Sequence, residues 1–277
     1  MTMSIGSQNC ADSLAKGQAA NAGDPCETDG AASTGARAIV EQMVRQLAQA
    51  EVQLQPFPHV YVPQLLPVDF YAELMGSFPA PELYRDAGKR HHVDGAPSRR
   101  WLPLTDEALS AWQDPAAELW RDLRDALCSI TWKRALFNKL SIGLSARFKI
   151  PAGRAADVEA YPSPTLLCES AGYSIAPHPD TRKKVVTMQL ALPETDAQRE
   201  LGTALYRRCV TQLRHVPRGF IKVKQFPFLP NSAYAFVVLN QLGCKSWHGR
   251  ERLTHDQGER RTILNVYGTK PNEFAMT

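Results

Sequence analysis

His178 and Asp180 flank a single proline in the stretch Gly172-Tyr173-Ser174-Ile175-Ala176-Pro177-His178-Pro179-Asp180, and His248 follows later within Ser246-Trp247-His248-Gly249. Side chains two residues apart on an extended segment point the same way, because successive residues of a strand face opposite sides. The imidazole of His178 and the carboxylate of Asp180 can therefore reach one point in space. A second imidazole, His248, brought alongside on another strand would place two nitrogens and one oxygen on one face of a metal ion. Such a facial triad, with open positions opposite, suits Fe(II) and dioxygen chemistry. A lone His-x-Asp is weak, since most such pairs are ordinary surface residues, so the flanking segments must supply the strands that bring the three together.

Those segments have strand character. Apolar runs occupy 185–192 and 201–206, followed by 228–236 and by Gly258-Glu259-Arg260-Arg261-Thr262-Ile263-Leu264-Asn265-Val266-Tyr267. β-branched and aromatic residues with intervening turn residues dominate this half of the chain. In this order, with His-x-Asp before the first run and Ser-Trp-His-Gly before the last, the segments resemble the Fe(II)- and 2-oxoglutarate-dependent oxygenases. The branch is that of the prolyl 4-hydroxylase-like and phytanoyl-CoA hydroxylase-like cores, and the resemblance covers about residues 157–270.

The resemblance implies a mainly β fold with flanking helices, of the α+β kind: a double-stranded β-helix (jelly-roll, cupin-like) core with N-terminal helices packed outside. It implies Fe(II) on His178, Asp180 and His248, with 2-oxoglutarate and O2 as co-substrates. In this superfamily a basic residue on the strand after the second histidine anchors the distal carboxylate of 2-oxoglutarate, often as Arg-x-Ser. Arg260-Arg261-Thr262 offers two registers, Arg260 with Thr262 on one face or Arg261 with Ile263 and Asn265 on the other. The first reproduces the pattern and is preferred. Thr187 and Gln189 share a side-chain parity that would line the same pocket, whereas Ala191 stands where relatives often carry a tyrosine. Halogenating relatives have a small residue in place of Asp180. A carboxylate there implies hydroxylation of an unactivated C–H bond of a small molecule (amino acid, sugar or natural-product intermediate), releasing succinate and CO2. Alternatives on the same fold are a protein or carrier-tethered side-chain hydroxylase and a non-catalytic cupin-like metal-binding protein. A hydrolytic zinc site could use the same ligands, but it gives no reason for the Arg-x-Thr strand.

The chain of 277 residues carries 32 Lys and Arg against 28 Asp and Glu, a net charge of +4. The two signs are interleaved, so no nucleic-acid partner is expected. No run approaches the roughly eighteen apolar residues of a membrane span, and the N-terminus lacks a signal-peptide pattern. A cytoplasmic enzyme without a membrane partner is expected, acting on a small molecule; the oligomeric state is not specified. The six cysteines show no Cys-x-x-Cys spacing, which argues against a zinc cage or disulfide framework and for reduced thiols.

Residues 1–34 contain almost no large apolar side chains and are expected to form a disordered tail. Residues 35–277 are expected to form one oxygenase domain, with 35–150 mostly helical support and lid and 151–270 the β core. Helical spacing predicts helices over 36–52, 67–75, 106–129 and 132–144, with a strand at 57–62. Residues 84–104 read as a long polar loop of the kind that forms lids. Within it, Arg99 and Arg100 beside Trp101 are candidates to clamp a substrate carboxylate or phosphate. Arg182, directly after the His-x-Asp, is a further substrate candidate. His59 precedes the core strands and is not expected to be a ligand.

Overall fold

The computed structural model describes residues 32–209, 218–271 and 273–274. The expected tail lies outside the described residues up to residue 31. Helix α1 (Thr34–Gln49) starts at Ser33, whose hydroxyl accepts from the Ala36 amide at 2.9 Å, and buries Ile39, Val40, Met43 and Leu47 on one face. Strands β1 (Val52–Gln53) and β2 (His59–Val62) follow, then α2 (Val68–Met75) with Asp69 in its first turn, where a carboxylate offsets the helix dipole.

The region expected as a loop is partly sheet: β3 (Arg85–Asp86), β4 (His92–Val93), β5 (Ala96–Pro97) and β6 (Arg99–Pro103). Polar composition conceals these strands because their apolar pattern is confined to Trp101 and Leu102. Where periodicity predicts two helices, four form: α3 (Asp106–Ser110), α4 (Ala116–Cys128), α5 (Ile130–Lys139) and α6 (Ser141–Phe148). α3 ends at Ser110, Pro115 then stands at the N-terminal cap of α4, and the Ser129 hydroxyl accepts from Trp132 N to begin α5.

The remaining strands are β7 (Tyr161–Glu169), β8 (Ile175–His178), β9 (Lys184–Leu192), β10 (Ala204–Arg208), β11 (Phe220–Gln225), β12 (Ala233–Val237), β13 (Asn240–Gln241), β14 (Cys244–Lys245), β15 (His248–Arg250) and β16 (Arg260–Gly268). The large sheet has the order β1-β2-β12-β9-β16-β7-β6-β3 and the small one β11-β10-β15-β8. Along the chain β7, β9, β12 and β16 fall in the large sheet while β8, β10, β11 and β15 fall in the small one. The chain thus crosses between sheets at nearly every connection, which is the double-stranded β-helix, or jelly-roll, expected from the sequence.

The N-terminal helices cover the outer face of the large sheet. Asn265, pointing outward from β16, donates to Leu127 O at 3.0 Å, and Phe137 meets the Tyr267 ring edge-on. Because helices cover one face and the facing sheet covers the other, Val185, Val186, Met188, Leu190 and Leu192 of β9 are all buried. Cys168 and Cys244 are free thiols, but Cys128 is disulfide-bonded, which the expectation of reduced thiols did not anticipate. Among the described residues no helix is long and apolar enough to cross a membrane.

The two strands that carry the histidines approach closely at Gly249. A Cβ there would stand 2.6 Å from the carbonyl oxygen of Ile175, so the neighbouring backbone would have to move. Gly249→Ala should therefore cost ~1–3 kcal/mol of stability by overpacking. Gly153→Ala, where nothing lies within 4 Å, should melt like the wild type. Chemical denaturation of both variants checks this, and an undiminished stability for Gly249→Ala would show that strand spacing is not set at this residue.

Candidate metal centre and arginine cluster

His178 ends β8 and His248 begins β15, and the antiparallel register pairs these two residues directly. Their ring centroids are 4.4 Å apart. Asp180 lies two residues past His178 and turns to the same point. One ligand atom from each of the three lies within 4.8 Å of the others, and among the described residues this is the one such cluster. Each imidazole is oriented by a backbone carbonyl two residues earlier: Nδ1 of His178 donates to Ala176 O at 3.0 Å, and Nδ1 of His248 donates to Ser246 O at 2.9 Å. A carbonyl can only accept, so the proton sits on Nδ1 and Nε2 keeps its lone pair for a cation.

The Asp180 carboxylate is buried and shared. Lys184 Nζ donates to Oδ1 at 2.6 Å and Thr187 Oγ1 donates to Oδ2 at 2.8 Å. Burial opposes its ionisation, but the neighbouring His248 ring, the Lys184 ammonium and the two hydrogen bonds outweigh that and hold the carboxyl at about 2. Burial pushes His248 down to about 4, against the pull of Asp180. Near neutral pH both groups are in the deprotonated forms that metal ligation requires.

A cavity of about 100 Å³ opens at the triad, walled by Thr187, Gln189, Tyr234, Leu264, Arg99 and Arg250. A neighbouring recess of about 10 Å³ shares Gln189 and Tyr234 with it and is lined by Arg260 and Thr262. On the other side a larger cavity of about 260 Å³ shares Arg99, Lys184 and Leu264 and is lined by Trp101, Leu167, Val266 and Phe274.

Glu169, 1% exposed, contacts arginines that line these spaces. Register places Arg260 of β16 on one side of it and Arg99 of β6 on the other. Arg260 Nη1 donates to Glu169 Oε2 at 2.8 Å, Arg250 Nη1 donates to the same oxygen from the facing sheet, and Arg99 Nε is 3.5 Å from Oε1. Burial opposes ionisation of this carboxyl, but Arg250, Arg260 and Arg99 together hold it at about 2. Arg260 also donates Nε to Leu201 O at 2.9 Å and lies 4.4 Å over the Phe228 ring. Its own value is lowered to about 10 by burial and by Arg250, so it remains charged near neutral pH.

The interior therefore receives Arg260 and Thr262 together, and the Thr262 Oγ1 is buried without a hydrogen-bond partner among the described residues. Arg261 faces outward, paired with Glu194 at 2.6 Å and Glu259 at 3.2 Å. Thr187 lines the cavity but spends its hydroxyl on Asp180. Gln189 accepts from the Tyr234 hydroxyl at 2.6 Å. Tyr234 comes from β12, which puts an aromatic hydroxyl in the interior although β9 carries Ala191. Strand alternation separates the two arginine candidates of β6: Arg99 points inward, whereas Arg100 pairs with Glu259 at 2.5 Å on the other face. Arg182 is exposed, donates to Asn240 O at 2.9 Å, and lines none of these cavities.

Sequence reasoning passed over Glu169, Arg250 and the role of Lys184. Arg250 carried a usable signal, since it stands two residues beyond His248 and shares its face. Glu169 did not, because its partners come from β6, β15 and β16.

Fold and site together define an eight-stranded jelly-roll with a two-histidine, one-carboxylate cluster at one end of its interior. No protein-family model matches the chain, and no curated protein does. Solved structures do. A prolyl-4-hydroxylase from Pseudomonas putida aligns at 12% identity over 84% of this chain and 100% of its own, with a TM-score of 0.46. A 2OG-Fe(II) oxygenase family oxidoreductase from Burkholderia pseudomallei aligns at 10% identity over 83% and 91%, TM-score 0.45. The non-heme alpha ketoglutarate dependent carbocyclase SnoK from nogalamycin biosynthesis aligns at 12% identity over 86% and 87%, TM-score 0.43. The fold assignment rests on the strand order of this chain rather than on these likenesses.

Glu169 has a depressed folded-state value, so its stabilisation is present above the ordinary carboxyl value of 4.5 and is lost as pH falls through about 2. That window amounts to about 3 kcal/mol. Glu169→Gln should remove this acid-labile component and cost ~3–5 kcal/mol at neutral pH by leaving buried guanidinium groups uncompensated. Urea unfolding across acid pH reads both effects; a variant with the wild-type pH profile would contradict the assignment.

Proposed function

We propose that this chain is an Fe(II)- and 2-oxoglutarate-dependent oxygenase acting on a small molecule, within a single domain spanning 35–277. The observation that carries the proposal is the pairing of two sites in one interior. A facial triad with free Nε2 atoms lies in one cavity, and Arg260, with a Thr262 hydroxyl that has no hydrogen-bond partner among the described residues, lines the adjoining recess. Both fit their groups: the triad offers deprotonated nitrogen and oxygen donors, and the recess offers a cation and a hydroxyl to a carboxylate. When bound, Fe(II) with 2-oxoglutarate and O2 supplies the oxidation of an unactivated C–H bond, with release of succinate and CO2.

The chain's own part is positioning and exclusion of water. His178, Asp180 and His248 hold the metal, while Lys184 and Thr187 keep the Asp180 carboxylate ionised and fixed in orientation. Arg260 and Thr262 receive the distal carboxylate, and Gln189 and Tyr234 wall the path between the two ends. Hydroxylation is the outcome we favour, because Asp180 occupies the third ligand position with a carboxylate. A cytoplasmic setting belongs to the same proposal.

Succinate formation by protein purified without oxygen, then given Fe(II), ascorbate, 2-oxoglutarate and air, tests this. Wild type should turn over slowly without substrate and His178→Ala should not. Arg260→Ala should need roughly tenfold to a hundredfold more 2-oxoglutarate, as expected for loss of a charged hydrogen bond. Neither succinate nor an anaerobic Fe(II)–2-oxoglutarate absorption band would leave a metal-binding protein without turnover as the better account.

A further inference from the structure

Arg250 is 4% exposed. Its Nη1 is committed to Glu169 and its guanidinium lies 4.8 Å over the Tyr173 ring, yet Nε and Nη2 have no hydrogen-bond partner among the described residues. Leaving buried N–H donors unmatched is costly, of order 1–3 kcal/mol each. The two orphaned donors lie on one edge of the guanidinium, the edge that takes both oxygens of a carboxylate in a bidentate pair. Arg250 lines the triad cavity. Arg260 cannot offer the same edge, since its Nε and Nη1 are committed to Leu201 O and Glu169.

Charge points the same way. Three guanidinium groups, Arg99, Arg250 and Arg260, surround the single carboxylate of Glu169, leaving two positive charges uncompensated in a buried place. If the distal carboxylate of 2-oxoglutarate neutralises one at Arg260, one remains. Arg99, 20% exposed at its side chain, stands where the triad cavity meets the larger one. The larger cavity has Trp101, Leu167, Val266 and Phe274 in its wall, so an apolar body there and an anionic head beside Arg99 and Arg250 would satisfy both surfaces.

Resting on the oxygenase reading, we propose that Arg250 and Arg99 form a second carboxylate site inside the metal cavity, and that the substrate is a small monocarboxylate with an apolar body. The site selects the charged head, and the apolar cavity limits the size and polarity of the remainder.

The test is equilibrium binding by calorimetry to anaerobic protein loaded with Fe(II) and 2-oxoglutarate. The probes are phenylacetate, 3-phenylpropanoate and octanoate, each beside its neutral primary amide. In parallel, 2-oxoglutarate is titrated through its absorption band with Fe(II). At least one acid should bind about tenfold or more tighter than its amide, the ratio for one charged hydrogen bond. Arg99→Gln should collapse that preference and still form the Fe(II)–2-oxoglutarate band, and Arg250→Leu, which also gives up the tie to Glu169, should collapse it when 2-oxoglutarate is raised to saturate that variant. Arg99→Gln keeps the test decisive if Arg250→Leu fails to fold. Absence of binding by every probe, or equal binding of acids and amides, overturns the proposal. So does an Arg250→Leu variant that loses 2-oxoglutarate affinity but keeps the acid preference, which would assign the free edge to the co-substrate. A wild type that forms no band defeats the oxygenase reading itself, and this proposal with it.

Discussion

One buried carboxylate holds the base of this interior together. Glu169 accepts from Arg260 of its own sheet and Arg250 of the facing sheet, with Arg99 at its other oxygen. The contact therefore spans the gap between the sheets and fixes how β15, which also carries His248, sits against β7 and β16. A buried ion pair is poor evidence of net stability, because desolvation offsets the attraction. Its effect here is on position. Removing the carboxylate would leave guanidinium groups facing one another, and the strand that carries a metal-ligand candidate would lose its tie to the opposite wall.

At the other end of the interior the constraint is backbone register. Pairing of His248 with His178 across β15 and β8 needs the close approach that Gly249 permits, and each ring is then locked by a carbonyl two residues earlier in the chain. Asp180 is placed by the turn after β8 and held by Lys184 and Thr187 at the start of β9. The three side chains are thus oriented by backbone groups and by a neighbouring strand.

Much of this was legible in sequence because it depends on local parity. His178 and Asp180 two apart and Arg260 and Thr262 two apart mark the inward faces of their strands, while the jelly-roll is what the resemblance of the ordered segments to the oxygenases implied. The separation of Arg99 from Arg100 follows from the same alternation once residues 99–103 are known to form a strand, but their polar composition hid that strand. The helix breaks at Pro115 and Leu140 were obscured by apolar spacing that runs on across them. Glu169 was illegible for a different reason. Its importance comes from partners on strands distant in sequence, and no pattern within one segment records which residues a sheet brings opposite.

The central claim is that one interior holds a metal at His178, Asp180 and His248 and a dicarboxylate between that metal and Arg260. A crystal structure of the protein grown without oxygen in the presence of Fe(II) and 2-oxoglutarate tests it most directly. The account predicts metal density at these three side chains and the distal carboxylate of 2-oxoglutarate within hydrogen-bond distance of Arg260 and the Thr262 hydroxyl. Metal density elsewhere, or a triad empty at saturating Fe(II), would contradict it.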